Sequence, residues 1–201
     1  MYKTANTLPE QIRSRSVALL NRHLAAIDLH AQIKQAHWNV RGPTFIAIHE
    51  LFDKVADVVE EYSDKIAERA GTLGGTAEGT VQIAAGRSFL EPYRLGVADE
   101  KAHIAAVTVA LARFGESARN AIDESDQFGD IDTSDLFTEV SRGIDYQLWL
   151  VESHRELYPH IKSPSPRPAG DRVIMPGPEV VQRKRNGEDH GLRGVFPTAA
   201  R

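Results

Sequence analysis

Apolar residues recur at three- and four-residue steps through most of residues 1–158, which is the spacing of one buried face of an α-helix. Residues that end or begin helices separate these stretches. Gly42-Pro43 follows the first stretch, Gly71 follows the second, and Asp132 or Thr133 provides an N-cap for the fourth. The pattern predicts four long helices, at about residues 8–38, 46–71, 93–122 and 132–157.

The connection between the second and third helices is long and holds one further short helical pattern, at residues 81–85. No segment shows the alternation of apolar and polar residues that a strand on a sheet surface would need. The predicted fold class is therefore all-α. The predicted architecture is a four-helix bundle with a short helix in the long connection between helices two and three.

The composition changes after residue 158. Residues 159–201 contain seven of the ten prolines and carry eight Lys and Arg against four Asp and Glu. Such a proline-rich stretch does not build a core, so we predict a bundle domain over residues 1–158 and an extended or disordered, mildly basic tail over residues 159–201. The apolar residues within the tail leave a second possibility open, in which it packs on neighbouring subunits.

Candidate metal ligands cluster around the second helix. His37 ends the first helix, and His49, Asp53, Asp64 and Glu68 follow within the second. At about 100° per residue, the last four project from one face within an arc of about 100°. The opposite face of the helix is apolar and predicts burial in the core; it is formed by Ile48, Leu51, Phe52, Val55, Val58, Val59, Tyr62 and Ile66. Imidazoles and carboxylates together suit iron.

Helix length decides how these ligands can be used. His49 and Asp53 are one turn apart and can share a metal ion, whereas Asp64 lies about 16 Å further along the axis at about 1.5 Å per residue. Metal–ligand bonds are about 2 Å long, so both ends of the helix cannot bind one ion within a single chain. An antiparallel second copy would bring the two ends together and create two equivalent sites. The ligand pattern thus predicts a homo-oligomer.

Two other interpretations of the acidic and histidine residues stay open. Carboxylates opposite an apolar stripe are commonly just a solvated surface. A di-iron site inside one bundle is the other alternative, but it needs Glu-x-x-His on two helices. This chain has one such match, Glu100 to His103, which favours a packing or surface role for His103.

Two segments carry a family resemblance. The run His37-Trp38-Asn39-Val40-x-Gly42-x-x-Phe45-x-x-x-His49 and the run Tyr62-Ser63-Asp64-x-Ile66-Ala67-Glu68-Arg69 resemble the signatures of the Dps family, the ferritin-like DNA-binding proteins of starved bacteria. The resemblance covers about residues 8–158. All five ligand positions of that family's inter-subunit ferroxidase centre are matched in type and spacing, by His37, His49, Asp53, Asp64 and Glu68.

The resemblance implies a ferritin-like bundle that assembles into a hollow dodecamer, oxidises Fe(II) with hydrogen peroxide and stores Fe(III) as a mineral. The residue spacing alone does not distinguish peroxide from dioxygen. Trp38 is interpreted as an interface or core aromatic, and its position beside a ligand histidine leaves a redox role open as well. The acidic loop between the third and fourth helices is either solvated or a cation entry at a three-fold axis; it comprises Asp123, Glu124, Asp126, Asp130, Asp132 and Asp135.

DNA binding has weaker support than iron oxidation. The whole chain has a formal net charge of −4, and the only dense basic cluster is Arg183-Lys184-Arg185 in the tail. The alternative function is a DNA-compacting structural protein with secondary iron binding. The absence of cysteine excludes disulfides and thiolate metal sites. No apolar run suggests a secretory signal or a membrane span, so we expect a cytoplasmic protein without membrane contact.

Overall fold

The computed structural model describes residues 3–155, and within that range every regular element is an α-helix. The predicted tail, residues 159–201, lies outside the described residues. Among these described residues there are six helices: α1 (Glu10–His23), α2 (Ala26–Asn39), α3 (Phe45–Thr72), α4 (Val81–Arg87), α5 (Glu100–Phe128) and α6 (Ile131–Glu152). The prediction of an all-α bundle with a short helix in the long connection is confirmed.

The first predicted helix is interrupted at Leu24 and Ala25. The backbone here forms tighter turns, in which an N–H group donates to the carbonyl three residues earlier. Ala25 N–H donates to the Arg22 carbonyl at 3.4 Å, and Ile27 N–H to the Leu24 carbonyl at 3.0 Å. His23, Leu24, Ala25 and Ala26 are all buried. Four successive residues point around the whole circumference of a helix, so the chain is enclosed on every side here. Apolar periodicity does not reveal such a break.

The ends of the last two helices differ from the prediction. Helix α5 begins at Glu100 rather than near residue 93, because the Asp99 carboxylate caps it by accepting from Ala102 N–H at 3.0 Å. Asp130, not Asp132 or Thr133, caps α6. Helix α6 ends at Glu152 rather than near residue 157. Turn hydrogen bonds follow, including one from Arg155 N–H to the Glu152 carbonyl at 2.9 Å.

Helices α5 and α6 form one closely packed antiparallel pair, and α2 and α3 form the other. The apolar face predicted for α3 lies in the core between them, with Phe52, Val55 and Ile66 fully buried. Helices α3 and α6 touch where Gly143 faces Tyr62, since a Cβ at residue 143 would overlap the Tyr62 hydroxyl. None of the helices described within residues 3–155 is long and apolar enough to cross a membrane.

Candidate metal centre

His37 and His49 face each other across the turn that joins α2 to α3. The His37 Nδ1 lies 2.8 Å from the backbone carbonyl of His49, and the His49 Nδ1 lies 2.9 Å from the backbone carbonyl of His37. The two imidazole rings stack with their centroids 3.7 Å apart and an angle of 20° between their planes. Two residues twelve positions apart thus hold each other in a fixed orientation.

These reciprocal bonds determine where the ring protons lie. A carbonyl oxygen can only accept a hydrogen bond, so each Nδ1 must carry the hydrogen and donate it. In a neutral imidazole, the Nε2 atom then keeps a free lone pair. Histidines that bind metals in proteins are commonly oriented in this way, through a hydrogen bond from the second ring nitrogen. Both His37 and His49 are therefore prepared to bind a metal ion through Nε2.

Asp53 follows His49 by one turn and contributes a carboxylate to the same place. Its Oδ1 atom lies 3.7 Å from His37 Nε2. The same oxygen accepts a hydrogen bond from the Lys34 ammonium at 2.5 Å. This hydrogen bond is the main reason that the pKa of Asp53 lies below its usual value, although partial burial of the carboxylate opposes the shift. The carboxylate is thus held in the ionised form that metal binding needs.

Lys34 is a residue of this site that sequence reasoning missed. It lies on α2, one turn before His37, and its ammonium is 2.5 Å from Oδ1 of Asp53, one of the predicted ligands. The three-residue spacing from Lys34 to His37 could have suggested a shared face. A lysine is not a ligand type for iron, however, and nothing in the sequence paired it with Asp53.

Asp64 and Glu68 lie toward the other end of α3, and both are exposed. Asp64 lines a shallow surface cavity with Glu60 and His30, away from the histidine pair. A single chain therefore brings His37, His49 and Asp53 together, but not all five predicted ligands. In the part of the chain that the structure describes, no group of three or more His, Asp or Glu side chains is placed to hold one metal ion.

His103 and Glu100, the single Glu-x-x-His match, have other partners. His103 is 1% exposed, and its Nδ1 lies 2.5 Å from the Tyr93 hydroxyl. Of the two roles predicted for His103, the structure supports packing and not a surface position. The Glu100 carboxylate instead accepts hydrogen bonds from Thr44.

The acidic loop predicted between the last two long helices does not act as one cluster. Asp130 is 1% exposed and bonds to Arg69 Nη2 at 2.7 Å and to the Thr133 hydroxyl at 2.7 Å. Burial opposes ionisation of Asp130, but hydroxyl donors and the Arg69 charge outweigh it and lower its pKa. Glu124 pairs with Arg22. The members that stay exposed are Asp123, Asp126, Asp132 and Asp135.

Large apolar side chains are exposed beside the histidine pair. Trp38, the residue directly after His37, is 60% exposed. Ile46, three residues before His49, is 63% exposed. The possibility that Trp38 is a core residue is therefore wrong for the single chain. Exposed apolar residues grouped at one place are typical of protein interfaces.

Comparison with known proteins gives one consistent result. A ferritin-like domain model matches residues 17–161. The DNA protection during starvation protein of Agrobacterium fabrum is 43% identical over 157 residues, which is 76% of this chain and 95% of the relative. The protein of the same name from Mycolicibacterium smegmatis is 32% identical over 139 residues, covering 69% of this chain and 75% of the relative.

Solved structures agree with these sequence matches. A tetragonal form of Mycobacterium smegmatis Dps superposes with a TM-score of 0.72 at 30% identity, over 77% of this chain and 93% of that one. Dps from Microbacterium arborescens in its high-iron form gives a TM-score of 0.69 at 31% identity, over 75% of this chain and 98% of that one.

Proposed function

The chain belongs to the Dps family of ferritin-like proteins, and on that premise we propose that it is a ferroxidase that stores the iron it oxidises. Fe(II) is the substrate, and the Fe(III) product is kept as a mineral inside a hollow homo-oligomer in the cytoplasm. The observation that carries this proposal is the reciprocal hydrogen bonding of His37 and His49, which leaves both Nε2 atoms free to bind Fe(II).

The iron site is shared between two subunits. One subunit supplies His37, His49 and Asp53, and an antiparallel second copy supplies Asp64 and Glu68. The length of α3, 28 residues, supports this division because its two ends are too far apart to meet on one ion. The exposed Trp38 and Ile46 support it as well, since they offer an apolar contact surface beside the first half of the site. By resemblance, the complete assembly is a dodecamer.

The ligand set suits oxidation of iron. Neutral imidazole nitrogens bind Fe(II), while carboxylates stabilise the more highly charged Fe(III), so the reaction is favoured toward product. Two Fe(II) ions give up one electron each. Hydrogen peroxide accepts both electrons together with two protons and becomes two molecules of water. Peroxide is the oxidant that the family resemblance implies, and dioxygen is the alternative.

Iron binding requires Lys34 to leave Asp53. The Lys34 ammonium is 2.5 Å from the Asp53 carboxylate and competes for the same oxygen. An arriving Fe(II) ion brings two positive charges to a position that Lys34 holds with one. The salt bridge thus keeps the carboxylate ionised and satisfied until iron displaces the ammonium.

A direct experiment tests the function. Purified protein receives Fe(II) without oxygen and then peroxide, with absorbance reporting Fe(III) formation and electron microscopy reporting the mineral. We expect rapid oxidation and dense cores inside closed particles. A protein that sediments as a monomer at micromolar concentration, or that oxidises iron no faster than free solution, would overturn the proposal.

DNA binding is a second candidate function, and its support is the charge of the C-terminal residues. Residues 159–201 hold eight Lys and Arg against four Asp and Glu. Many copies of a weakly basic segment on one particle would make many weak phosphate contacts, which multivalency converts into useful affinity.

A further inference from the structure

The turn between the two candidate ligand histidines is held by residues at the start of α5, far away in the sequence. Arg41 N–H donates to the Ala98 carbonyl at 2.9 Å. The Glu100 carboxylate receives two hydrogen bonds from one residue of the turn, from Thr44 N–H at 3.1 Å and from the Thr44 hydroxyl at 2.6 Å. We refer to this set of contacts, made by Arg41, Thr44, Ala98 and Glu100, as the turn clamp.

Glu100 replaces a missing local cap. Thr44 is the N-cap residue of α3, but its side chain makes no capping hydrogen bond to that helix. The first N–H groups of a helix lack partners within the helix, and a negative charge near them is favourable. Glu100 provides that negative charge from another helix.

Gly42 makes the close approach of Glu100 possible. A Cβ at residue 42 would lie 2.8 Å from the Cβ of Glu100 and would overlap its carboxylate. A larger residue at this position would push the Glu100 side chain away from Thr44. A glycine is therefore required at residue 42 by the close approach of Glu100. It is not required by the backbone conformation, because the φ of Gly42 is one that other residues adopt as well.

The clamp acts on the place where iron would bind. His49 lies in the second turn of α3, and its ring bonds to the His37 carbonyl at 2.9 Å only if the end of α2 and the start of α3 keep their relative position. We propose that Glu100 is a positioning residue for the iron site: it fixes the turn so that both histidines keep Nδ1 on a carbonyl and Nε2 toward the metal. This inference rests on the proposed function of the same site.

The test compares two neighbouring carboxylates that cap different helices. Glu100→Ala removes the carboxylate that accepts hydrogen bonds at the start of α3. Asp99→Ala removes the cap of α5 and serves as the control, because no predicted iron ligand lies at the start of α5. Co(II), which is not oxidised under these conditions, is titrated into each assembled protein. Loss of a direct hydrogen-bond partner of a metal ligand typically weakens metal binding by about 10- to 100-fold. Glu100 acts one contact further out, through Thr44, so the lower end of that range, about tenfold, applies. We expect that loss for Glu100→Ala, and affinity within about twofold of wild type for Asp99→Ala at a comparable decrease in stability.

A conservative variant separates positioning from general destabilisation. In Glu100→Gln the amide oxygen still accepts a hydrogen bond, so Co(II) affinity should recover to a value between wild type and Glu100→Ala. In steady-state iron oxidation, we expect Glu100→Ala to raise the KM for Fe(II) more than it lowers kcat. Equal Co(II) affinities for Glu100→Ala and Asp99→Ala would overturn the inference.

A metal-free measurement keeps this result separate from the proposed function. Hydrogen exchange of the peptide that spans residues 41–49 should accelerate in Glu100→Ala but not in Asp99→Ala. Unchanged exchange would mean that Glu100 does not hold the turn, whatever the metal data show. A wild-type protein that fails to bind Co(II) would instead overturn the ferroxidase proposal and, with it, the role of Glu100 in positioning ligands.

Discussion

The ammonium nitrogen of Lys34 lies 2.5 Å from Oδ1 of Asp53, the same oxygen that lies 3.7 Å from Nε2 of His37. One oxygen of this predicted ligand therefore already has a cationic side chain beside it. The ion pair is partly exposed, with 47% of the Asp53 side chain accessible. Ion pairs that are this exposed to solvent contribute little to stability, so we expect Fe(II) to displace the lysine.

Replacing Lys34 should strengthen iron binding. In Lys34→Met, Fe(II) no longer competes with the ammonium, and we expect affinity to rise by up to about fivefold. Anaerobic Fe(II) titration measures the effect. Lys54→Met, which removes the same charge from an exposed position on α3, is the control and should leave affinity unchanged. Weaker binding in Lys34→Met would mean that the lysine orients Asp53 for the metal.

Iron oxidation should depend on residues from two chains. We expect Asp53→Ala and Glu68→Ala to oxidise Fe(II) poorly when each forms its own oligomers. Oligomers refolded from an equal mixture should contain about a quarter of intact sites, because both lesions can fall in the same site. Stopped-flow oxidation rates measure the recovery. Mixing the two variants without unfolding them is the control, and full activity in either variant alone would show that these carboxylates are only surface charge.

Gly143→Ala should destabilise the bundle. The added Cβ would lie 2.6 Å from the Tyr62 Cζ and would overlap its hydroxyl, so either the buried Tyr62 ring or the two helices would have to shift. Overpacking of this kind costs about 2 kcal/mol. Urea unfolding measures the change, and Gly86→Ala is the matched control, because the new Cβ there would meet no atom within 4 Å beyond its chain neighbours and the adjacent backbone of its own helix. If the two variants unfold at the same urea concentration, the close contact of α3 and α6 is wrong.

Stability should fall in mild acid because of His23. The His23 ring is fully buried, and its centroid lies 4.6 Å from the centroid of the Phe137 ring. Its Nδ1 atom is 2.9 Å from the Leu19 carbonyl oxygen. Burial lowers the pKa of His23 below its ordinary value of 6.5. The unfolded chain thus takes up a proton on His23 more readily than the folded chain does. The contribution of neutral His23 to the free energy of unfolding is therefore complete above about pH 6.5, and it is lost as the pH falls below that value.

Urea midpoints at pH 7.5 and pH 5.5 measure this dependence. We expect a smaller difference between the two midpoints for His23→Gln than for wild type, although the variant is less stable at both. His154→Gln, which changes an exposed histidine, should keep the wild-type difference. An unchanged pH dependence in His23→Gln would assign the acid sensitivity to other groups.

Residues 159–201 should be dispensable for iron oxidation and should carry whatever DNA affinity exists. A chain that ends at residue 158 should still form particles and oxidise Fe(II), but should no longer retard DNA in a gel. Replacing Arg183, Lys184 and Arg185 with glutamine should reduce the shift without removing the segment. Each phosphate contact releases counterions, so binding should weaken steeply from low to physiological salt. Loss of assembly on deletion would favour a packing role, and a full-length particle that never shifts DNA would exclude the DNA role.

The sequence by itself determined the fold class, the family and the face of α3 that carries the candidate ligands. Helix periodicity is a local property, because each turn brings residues three and four positions apart to one side. The apolar stripe from Ile48 to Ile66 therefore predicted burial correctly for six of its eight residues, while Leu51 and Val58 are half-buried against the core. The opposite placement of His49 and Asp64 followed from the same geometry. The five ligands remain a prediction, because a single chain contains only part of their site.

Tertiary structure alone decided how the first half of that site is held. The ring tautomers of His37 and His49 depend on backbone carbonyls twelve residues away, and the cap of α3 comes from Glu100, 56 residues after Thr44. Helix α6 is capped by Asp130 and not by one of the neighbouring acidic residues, because Arg69 and Thr133 bind the Asp130 carboxylate in the interior. In each case the local sequence offers the side chain several equivalent hydrogen-bond partners. Contacts between distant segments select one of them, because hydrogen bonds form only where packing brings donor and acceptor together.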